Sequence, residues 1–591
     1  MTQTTDTYTL LGAFVDELVR CGMRAACTSP GSRSTPLVLS LAREPRLRCY
    51  SHIDERCSGF FALGLAKASA RPVAVVCTSG TAVAELAPAV IEAHEARVPL
   101  VVLTADRPWE LRENGAGQSI DQLKLYGGAA KWFFEVGVHE AGAQQLRWMR
   151  TLACRAYWTT LEGRPGAVHL NFPLREPLVS DDAPPADDSG RADGRPYVAR
   201  ACSRGAGTAV DVDKERLSEL VSQAKRGVVV AGRDERLAGM GEAAAAFAAA
   251  LGWPLLADPL SGARRGDAAI AHYDALLRDD AFAASLAPDL ILRVGDLPVS
   301  KPLRFWLAGL GDVRQVALDP EGSWQDPASV LSDSLALVPA VALRELADTS
   351  TGQMRSNAGV DEDWLARWQV ADERAAQAIL GVLDTEQLSE PTVAAELGVL
   401  LAEQATLFVA SSMPVRDIET FWPARRDPPR VLCNRGANGI DGTVSSAFGA
   451  AADGDGPVVL LIGDVALAYD IGGLLAAKRL DLRLTIVLID NDGGGIFDFL
   501  PVASTPMART SEDIFTHHVA TPTGLDFAHA ASLYGLTHER VQTVSEFRAA
   551  LERALQPEAT SSIVHVRSER ASNVEVHRRI WQAVSMALGE Q

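Results

Sequence analysis

Eight short apolar runs, rich in β-branched residues, recur along the chain. They are VAVVC (73–77), LVVLTA (100–105), GVVVAG (227–232), LILRVG (290–295), LFVAS (407–411), VVLLIGD (458–464), LTIVLID (484–490) and SIVHV (562–566). None alternates apolar with polar residues, so each reads as a strand covered on both faces, as in a parallel sheet between helix layers. Helical patterns separate the runs, which predicts α/β architecture. Ligands in such sheets bind beyond the carboxyl ends of strands, so the polar residues after each run are the candidates for chemistry. The fold alone does not fix which chemistry.

Two stretches poor in large apolar residues, 181–195 and 349–361, read as linkers. They divide the chain into 1–180, 196–348 and 362–591, each expected to be a mostly parallel sheet flanked by helices. With 591 residues, 47% of them apolar and 22% charged, there is material for several cores. A net charge of −19 does not favour nucleic acid or anionic membranes as partners. It leaves room for acidic substrates held by local arginines. The eight cysteines show neither CxxC nor zinc-type spacing and read as reduced, buried thiols of a cytoplasmic protein. The first 22 residues lack a basic region before their apolar stretch and read as an amphipathic helix rather than a signal peptide. No apolar run reaches the roughly 18–20 residues of a membrane span.

VVLLIGD ends at Asp464, and Asn491 follows LTIVLID 27 positions later. A helix-like stretch, AYDIGGLLAAKRL, lies between them, so both residues are expected at one edge of a parallel sheet. An Asp carboxylate, an Asn amide oxygen and a backbone carbonyl are hard oxygen ligands suited to magnesium bridging a diphosphate. This segment resembles the GDG-x(about 25)-N signature of thiamin-diphosphate enzymes, with Val465 in place of the usual third glycine. Members of that family place the cofactor between a pyrimidine-binding and a diphosphate-binding domain, usually of different subunits. They also need a glutamate on the pyrimidine to favour the imino tautomer that removes the thiazolium proton. SHIDERCSGFFALGLAKAS resembles the glutamate motif and offers Glu55, followed by the turn Thr78-Ser79-Gly80-Thr81. His52, close by, reads as structural.

Further motifs narrow the resemblance. TSPGSRSTPL supplies Ser32 and Arg33, LTADRPWELRENGAGQSIDQ supplies Arg107 and Gln118, and VSKPL supplies Lys301. SSMPVRDIE supplies Ser412 and Arg416, CNRGANGIDG supplies Arg435, Gly439 and Ile440, and DNDGGGIFDFLP supplies Phe497 and Leu500. Four arginines in strand-end loops fit bidentate capture of carboxylates. As an ordered set covering essentially the whole chain, these motifs resemble the 2-succinyl-5-enolpyruvyl-6-hydroxy-3-cyclohexene-1-carboxylate synthase family of the menaquinone pathway. Gly117 and Pro302 depart from residues found in some relatives.

The resemblance implies thiamin-diphosphate-dependent decarboxylation of 2-oxoglutarate and 1,4-addition of the succinyl-semialdehyde unit to isochorismate. It implies magnesium as the metal, with manganese as an alternative, held by Asp464, Asn491 and the Gly493 carbonyl. Glu55, Thr78, Ser79, Gly80, Ser412, Gly439, Ile440 and Gly463 join Asp464 and Asn491 as cofactor-binding residues. Glu55, Ser412 and Gln118 are the catalytic candidates. Ser32, Arg33, Arg107, Gln118, Lys301, Arg416, Arg435, Phe497 and Leu500 are the substrate-binding candidates, their division between the two acids left open. A cofactor shared across subunits implies at least a homodimer, and a homotetramer is expected. Another thiamin-diphosphate 2-oxoacid decarboxylase or carboligase is the alternative; a non-catalytic relative would lack the combination of Glu55, Asp464 and Asn491.

Overall fold

The computed structural model describes residues 3–137, 139–179, 187–200, 208–234, 239–350, 361–383, 385–454, 456–508 and 513–589. Three parallel sheets carry the expected runs. The first contains β1 (Ala25–Thr28), β2 (Arg48–Ser51), β3 (Val73–Cys77), β4 (Leu100–Asp106), β5 (Ala130–Glu135) and β6 (Ala167–Pro173), in the order β2-β1-β3-β4-β6-β5. The second contains β7 (Gly227–Ala231), β8 (Leu255–Ala257), β9 (Leu290–Val294), β10 (Arg314–Leu318) and β11 (Asp333–Leu335), in the order β11-β10-β9-β7-β8. The third contains β12 (Thr406–Val409), β13 (Arg430–Leu432), β14 (Val458–Gly463), β15 (Thr485–Asp490), β16 (Thr537–Val541) and β17 (Ser562–Arg567), in the order β13-β12-β14-β15-β17-β16.

Counted within its own sheet, the third order repeats the first. In both, the strand order reverses next to the sheet's first strand, between β1 and β3 and between β12 and β14. Such a reversal splays the connecting loops apart and opens a crevice at the carboxyl ends of the strands. Ser32-Arg33 and Thr78–Gly80 follow β1 and β3, Ser412 follows β12, and Gly463 ends β14 with Asp464 directly after it. Topology therefore puts these four predicted segments at the two switch points.

The chain forms two compact units, one of residues 1–204, 434–455 and 469–484, the other of 205–433, 456–468 and 485–591. In the first, helices Gln3–Cys21 and Ala143–Leu161 cover the sheet, with Phe14 and Phe172 meeting edge to face at 5.7 Å. Helix Glu55–Ser69 packs on helix Thr443–Ala451 through small residues. A β-carbon on Gly64 would lie 1.9 Å from the Ser446 carbonyl oxygen, and one on Gly449 would lie 2.0 Å from that of Phe61. Only glycine permits this backbone approach, and Ser446 Oγ uses it to donate to the Phe60 carbonyl at 3.0 Å. In the second unit the core joins the second and third sheets through Trp364, Trp368, Leu397, Val409 and Val487, all fully buried.

The stretch between Asp464 and β15 is not the single helix expected. It breaks into helix Asp464–Tyr469, a 3-10 turn Ile471–Leu474 and helix Leu475–Arg479. Buried Asp470 pins the break, accepting from Ser445 N at 2.8 Å and from Arg56 Nη1 at 3.0 Å. The Gly472-Gly473 pair has little helical preference to oppose it. The expected linkers fall partly outside the described residues, at 181–186 and 351–360. Residues 187–195 have no regular structure and are tied down by Arg150, which bonds Asp187 at 2.7 Å and Ser189 at 3.0 Å. Among the described residues every cysteine is free, and no helix is long and apolar enough to cross a membrane.

Candidate functional site

In the first unit, Glu55 opens helix Glu55–Ser69, capped by Asp54, whose carboxylate accepts from Arg56 N and Cys57 N. Burial, and then the charges of Asp54 and Glu85, raise the Glu55 carboxyl above its ordinary range. Its carboxylate makes no ion pair among the described residues. His52 is buried with its ring 4.5 Å from that of Phe61, and burial lowers it to about 4, so it serves packing.

Ser79, Gly80, Arg107 and Gln118 form one hydrogen-bonded network. Arg107 donates to Ser79 Oγ at 2.8 Å and to the Gly117 carbonyl at 3.0 Å. Ser79 Oγ donates to the Gln118 carbonyl at 3.0 Å, and Gln118 Nε2 returns a bond to the Ser79 carbonyl at 2.9 Å. Gly80, at φ 87°, caps helix Thr81–Glu85, and its N–H donates to Gln122 Oε1 at 2.9 Å. Gln122 is a residue the sequence reading passed over. It is buried, and its amide also donates to the Ala105 carbonyl and to Asn171 Oδ1, tying the turn after β3 to β4 and β6.

Arg33 is buried, donating to the Leu174 carbonyl at 2.8 Å and to Glu176 at 3.0 Å, so part of its donor set is engaged within the protein. Burial, and then the positive charge of Arg33, lower the Arg107 guanidinium below its ordinary value. Arg107 makes no direct ion pair among the described residues. Thr78 is buried and Ser32 exposed. Arg435, Gly439 and Ile440 lie half-buried in the loop that leads into helix Thr443–Ala451.

In the second unit, Asp464 is the first residue of its helix, directly after β14. Its Oδ2 accepts from Gly493 N at 2.8 Å, and burial together with the charge of Asp490 raises it to about 7. Asn491 follows β15. Its Nδ2 donates to Glu390 Oε1 at 2.8 Å, while its Oδ1 is buried with no hydrogen-bond partner. Glu390, also missed from sequence, is buried and accepts from Ser568 Oγ at 2.8 Å as well. A buried carboxylate disfavoured as an anion, beside an orphaned amide oxygen, fits a hard divalent cation, which would satisfy both. A β-carbon at Gly463 would meet only the Ile489 carbonyl, at 4.0 Å, so space lies open at this strand end. Gly493, at φ 134°, has a carbonyl that accepts from Gly495 N at 2.9 Å and keeps a second lone pair. Val465 lies inside the helix with negative φ, a conformation open to a β-branched residue.

Ser412 caps helix Met413–Phe421 at φ 77°, ψ −133°, with no cap bond from its side chain. That conformation is costly for a residue with a β-carbon, and such strain concentrates at functional positions. Arg416, one turn on, donates to the Ser412 carbonyl. Phe497 packs on a small cluster of Ala508, Phe515 and Ala520, whereas Leu500 is exposed. Lys301 begins helix Lys301–Gly309 beyond β9, with its ammonium over the Phe305 ring.

Three family models match in order: the thiamine pyrophosphate enzyme N-terminal TPP binding domain over residues 9–125, the middle domain over 195–409 and the C-terminal TPP binding domain over 415–566. Proteins named 2-succinyl-5-enolpyruvyl-6-hydroxy-3-cyclohexene-1-carboxylate synthase are similar along the full length. The one from Geobacillus kaustophilus is 44% identical, covering 98% of each chain. Those from Listeria monocytogenes and Chloroflexus aurantiacus are 41% and 42% identical, covering 98% of this chain and 97% of theirs. By the switch-point residues and by this end-to-end similarity, the chain belongs to the 2-succinyl-5-enolpyruvyl-6-hydroxy-3-cyclohexene-1-carboxylate synthase family of thiamine pyrophosphate enzymes.

Proposed function

We propose that the protein is a transferase that decarboxylates 2-oxoglutarate and adds the resulting four-carbon unit to isochorismate in a 1,4 fashion. The product is 2-succinyl-5-enolpyruvyl-6-hydroxy-3-cyclohexene-1-carboxylate, in menaquinone biosynthesis. The names of its full-length relatives support this choice of product. The observation that carries it is Arg107. Its guanidinium is held by two neutral oxygens and has no carboxylate in contact among the described residues, so its charge is available to an acidic substrate.

Thiamin diphosphate, when bound, supplies a carbon nucleophile and an electron sink for losing CO2 from a 2-oxo acid. Glu55, held half-buried at a helix start, would meet the cofactor's pyrimidine end, its raised carboxyl suited to holding or giving up a proton there. Asp464, Asn491 and the Gly493 carbonyl would hold magnesium, with manganese as the alternative, while Glu390 fixes the Asn491 amide. Thr78, Ser79, Gly80, Gly439, Ile440 and Gly463 complete the cofactor contacts. Gln118 and the strained Ser412 hydroxyl, with water, move protons at the substrate carbons. Ser32, Arg33, Arg107, Lys301, Arg416 and Arg435 bind carboxylates and offset their mutual repulsion. Phe497 and Leu500 form an apolar wall beside the ring substrate.

The domains run over 1–180, 196–348 and 362–591, in a cytoplasmic homodimer or homotetramer. The test is one reaction mixture of protein, thiamin diphosphate, magnesium, 2-oxoglutarate and isochorismate, with products read by mass spectrometry. The adduct should form with release of CO2. Pyruvate turnover without use of isochorismate would overturn the reading.

A further inference from the structure

Helix Ala87–Ala96 carries a glutamate that no cofactor motif includes, and its carboxylate is committed to backbone. Glu92 is buried, 3% exposed. Its Oε1 accepts from Gly436 N at 2.8 Å, and its Oε2 accepts from Ala437 N at 2.6 Å. The Lys67 ammonium, on the neighbouring helix with its side chain fully buried, lies 3.6 Å from Glu92 Oε1. The held loop also passes very close to the helix. A β-carbon on Gly436 would lie 2.6 Å from Ala96 N and 2.7 Å from the Glu92 carbonyl oxygen.

The clamped residues directly follow Arg435 and directly precede the segment containing Gly439 and Ile440. That segment is not held by regular structure. Asn438 and Gly442 both adopt positive φ, at 65° and 62°. A non-glycine residue such as Asn438 occupies that region only at a cost, so the surrounding structure must hold the loop geometry. A carboxylate that takes one N–H on each oxygen fixes two successive peptide planes, and hence the direction in which residue 435 leaves the backbone. Charge-assisted bonds to a buried carboxylate are strong enough for this.

We infer that Glu92, charge-balanced by Lys67, is a positioning residue. It sets the Arg435 guanidinium and the Gly439-Ile440 segment by clamping the Gly436 and Ala437 amides. The inference rests on the reading of Arg435 as an acid-binding residue.

Its test is a double-mutant cycle between Glu92→Gln and Arg435→Lys, read as kcat/KM for 2-oxoglutarate and for isochorismate at saturating thiamin diphosphate and magnesium. In Glu92→Gln one oxygen is replaced by an amide that faces an N–H donor, so the clamp loses one of its two bonds. Each single variant should lose at least thirty-fold in kcat/KM for one of the acids. The double variant should fall no more than three-fold below the worse single one. Losses that multiply would overturn the clamp while leaving the role of Arg435 intact. An Arg435→Lys variant within three-fold of wild type would overturn both. A structural role is separated by Lys67→Met combined with Glu92→Gln, which also removes the buried cation that lies 3.6 Å from Glu92 Oε1. Its melting temperature should recover while kcat/KM stays depressed, and recovery of both would overturn positioning. If Glu92→Gln fails to fold, Glu92→Asp keeps the counter-charge for Lys67 but is one methylene too short to reach both amides, and the same kinetic pattern is expected of it.

Discussion

Replacing Glu390 by alanine tests the proposed metal site through a residue outside the proposed ligand set. Glu390 Oε1 holds Asn491 Nδ2 and Ser568 Oγ, each at 2.8 Å, in a buried setting. Alanine removes the acceptor that holds Asn491 Nδ2 and leaves Oδ1 unpartnered, and the freed amide becomes able to turn its NH2 toward a bound cation. Partners of metal ligands are typically worth ten- to a hundred-fold in metal affinity, or about 1.4–2.7 kcal/mol. The upper end is expected here, because Asn491 Oδ1 has no other bond to hold it in place. Glu390→Gln keeps an acceptor oxygen and should lose less than five-fold. The assay is a magnesium titration at saturating thiamin diphosphate, followed by cofactor-induced fluorescence or calorimetry. An apparent magnesium affinity for Glu390→Ala within three-fold of wild type would refute the reasoning.

Other outcomes follow from the same geometry. Arg107→Lys keeps the charge but loses the planar fork that spans Ser79 Oγ and the Gly117 carbonyl. It should lower kcat/KM for one acidic substrate by about thirty- to three-hundred-fold with little change in melting temperature, and steady-state kinetics check this. His169 is buried, bonded through Nε2 to Thr104 Oγ1 at 2.7 Å, and has an unpartnered Nδ1, so burial lowers it to about 3. Its folded value lies below its unfolded value, so its contribution is complete above about pH 6.5 and is lost as pH falls toward 3. Denaturant titrations should show the stability of wild type relative to His169→Gln falling by about 2 kcal/mol from pH 7 to pH 5. A difference independent of pH would contradict this.

The buried strands were readable because a parallel sheet covered on both faces demands continuous apolar runs, and the switch-point residues follow those runs directly. Strands at sheet edges were harder to read. β2 (RCYS), β5 (AKWFFE) and β16 (THERV) are partly exposed and carry polar residues that blur the pattern. The residues that hold the candidate groups were invisible for a different reason. Glu390 lies 101 positions from Asn491, Gln122 lies 42 from Gly80 and Glu92 lies 344 from Gly436. Each is a polar residue buried by tertiary contacts; Glu390 and Glu92 lie in no quoted motif, and Gln122, the last residue of LTADRPWELRENGAGQSIDQ, has no local feature that marks its partners. The break at Asp470 was missed likewise, since its partners Ser445 and Arg56 are remote in sequence.

If Glu55 governs proton removal from the bound cofactor, as proposed, it sets the rate of hydrogen–deuterium exchange at the thiazolium C2 of thiamin diphosphate. That rate is measured by quenched-flow NMR with the cofactor bound to wild type and to Glu55→Gln and no substrate present. Positioned acid–base groups contribute about a hundred- to ten-thousand-fold. Exchange in Glu55→Gln should therefore slow at least a hundred-fold while cofactor affinity stays within ten-fold. Equal exchange rates in the two proteins would contradict the account.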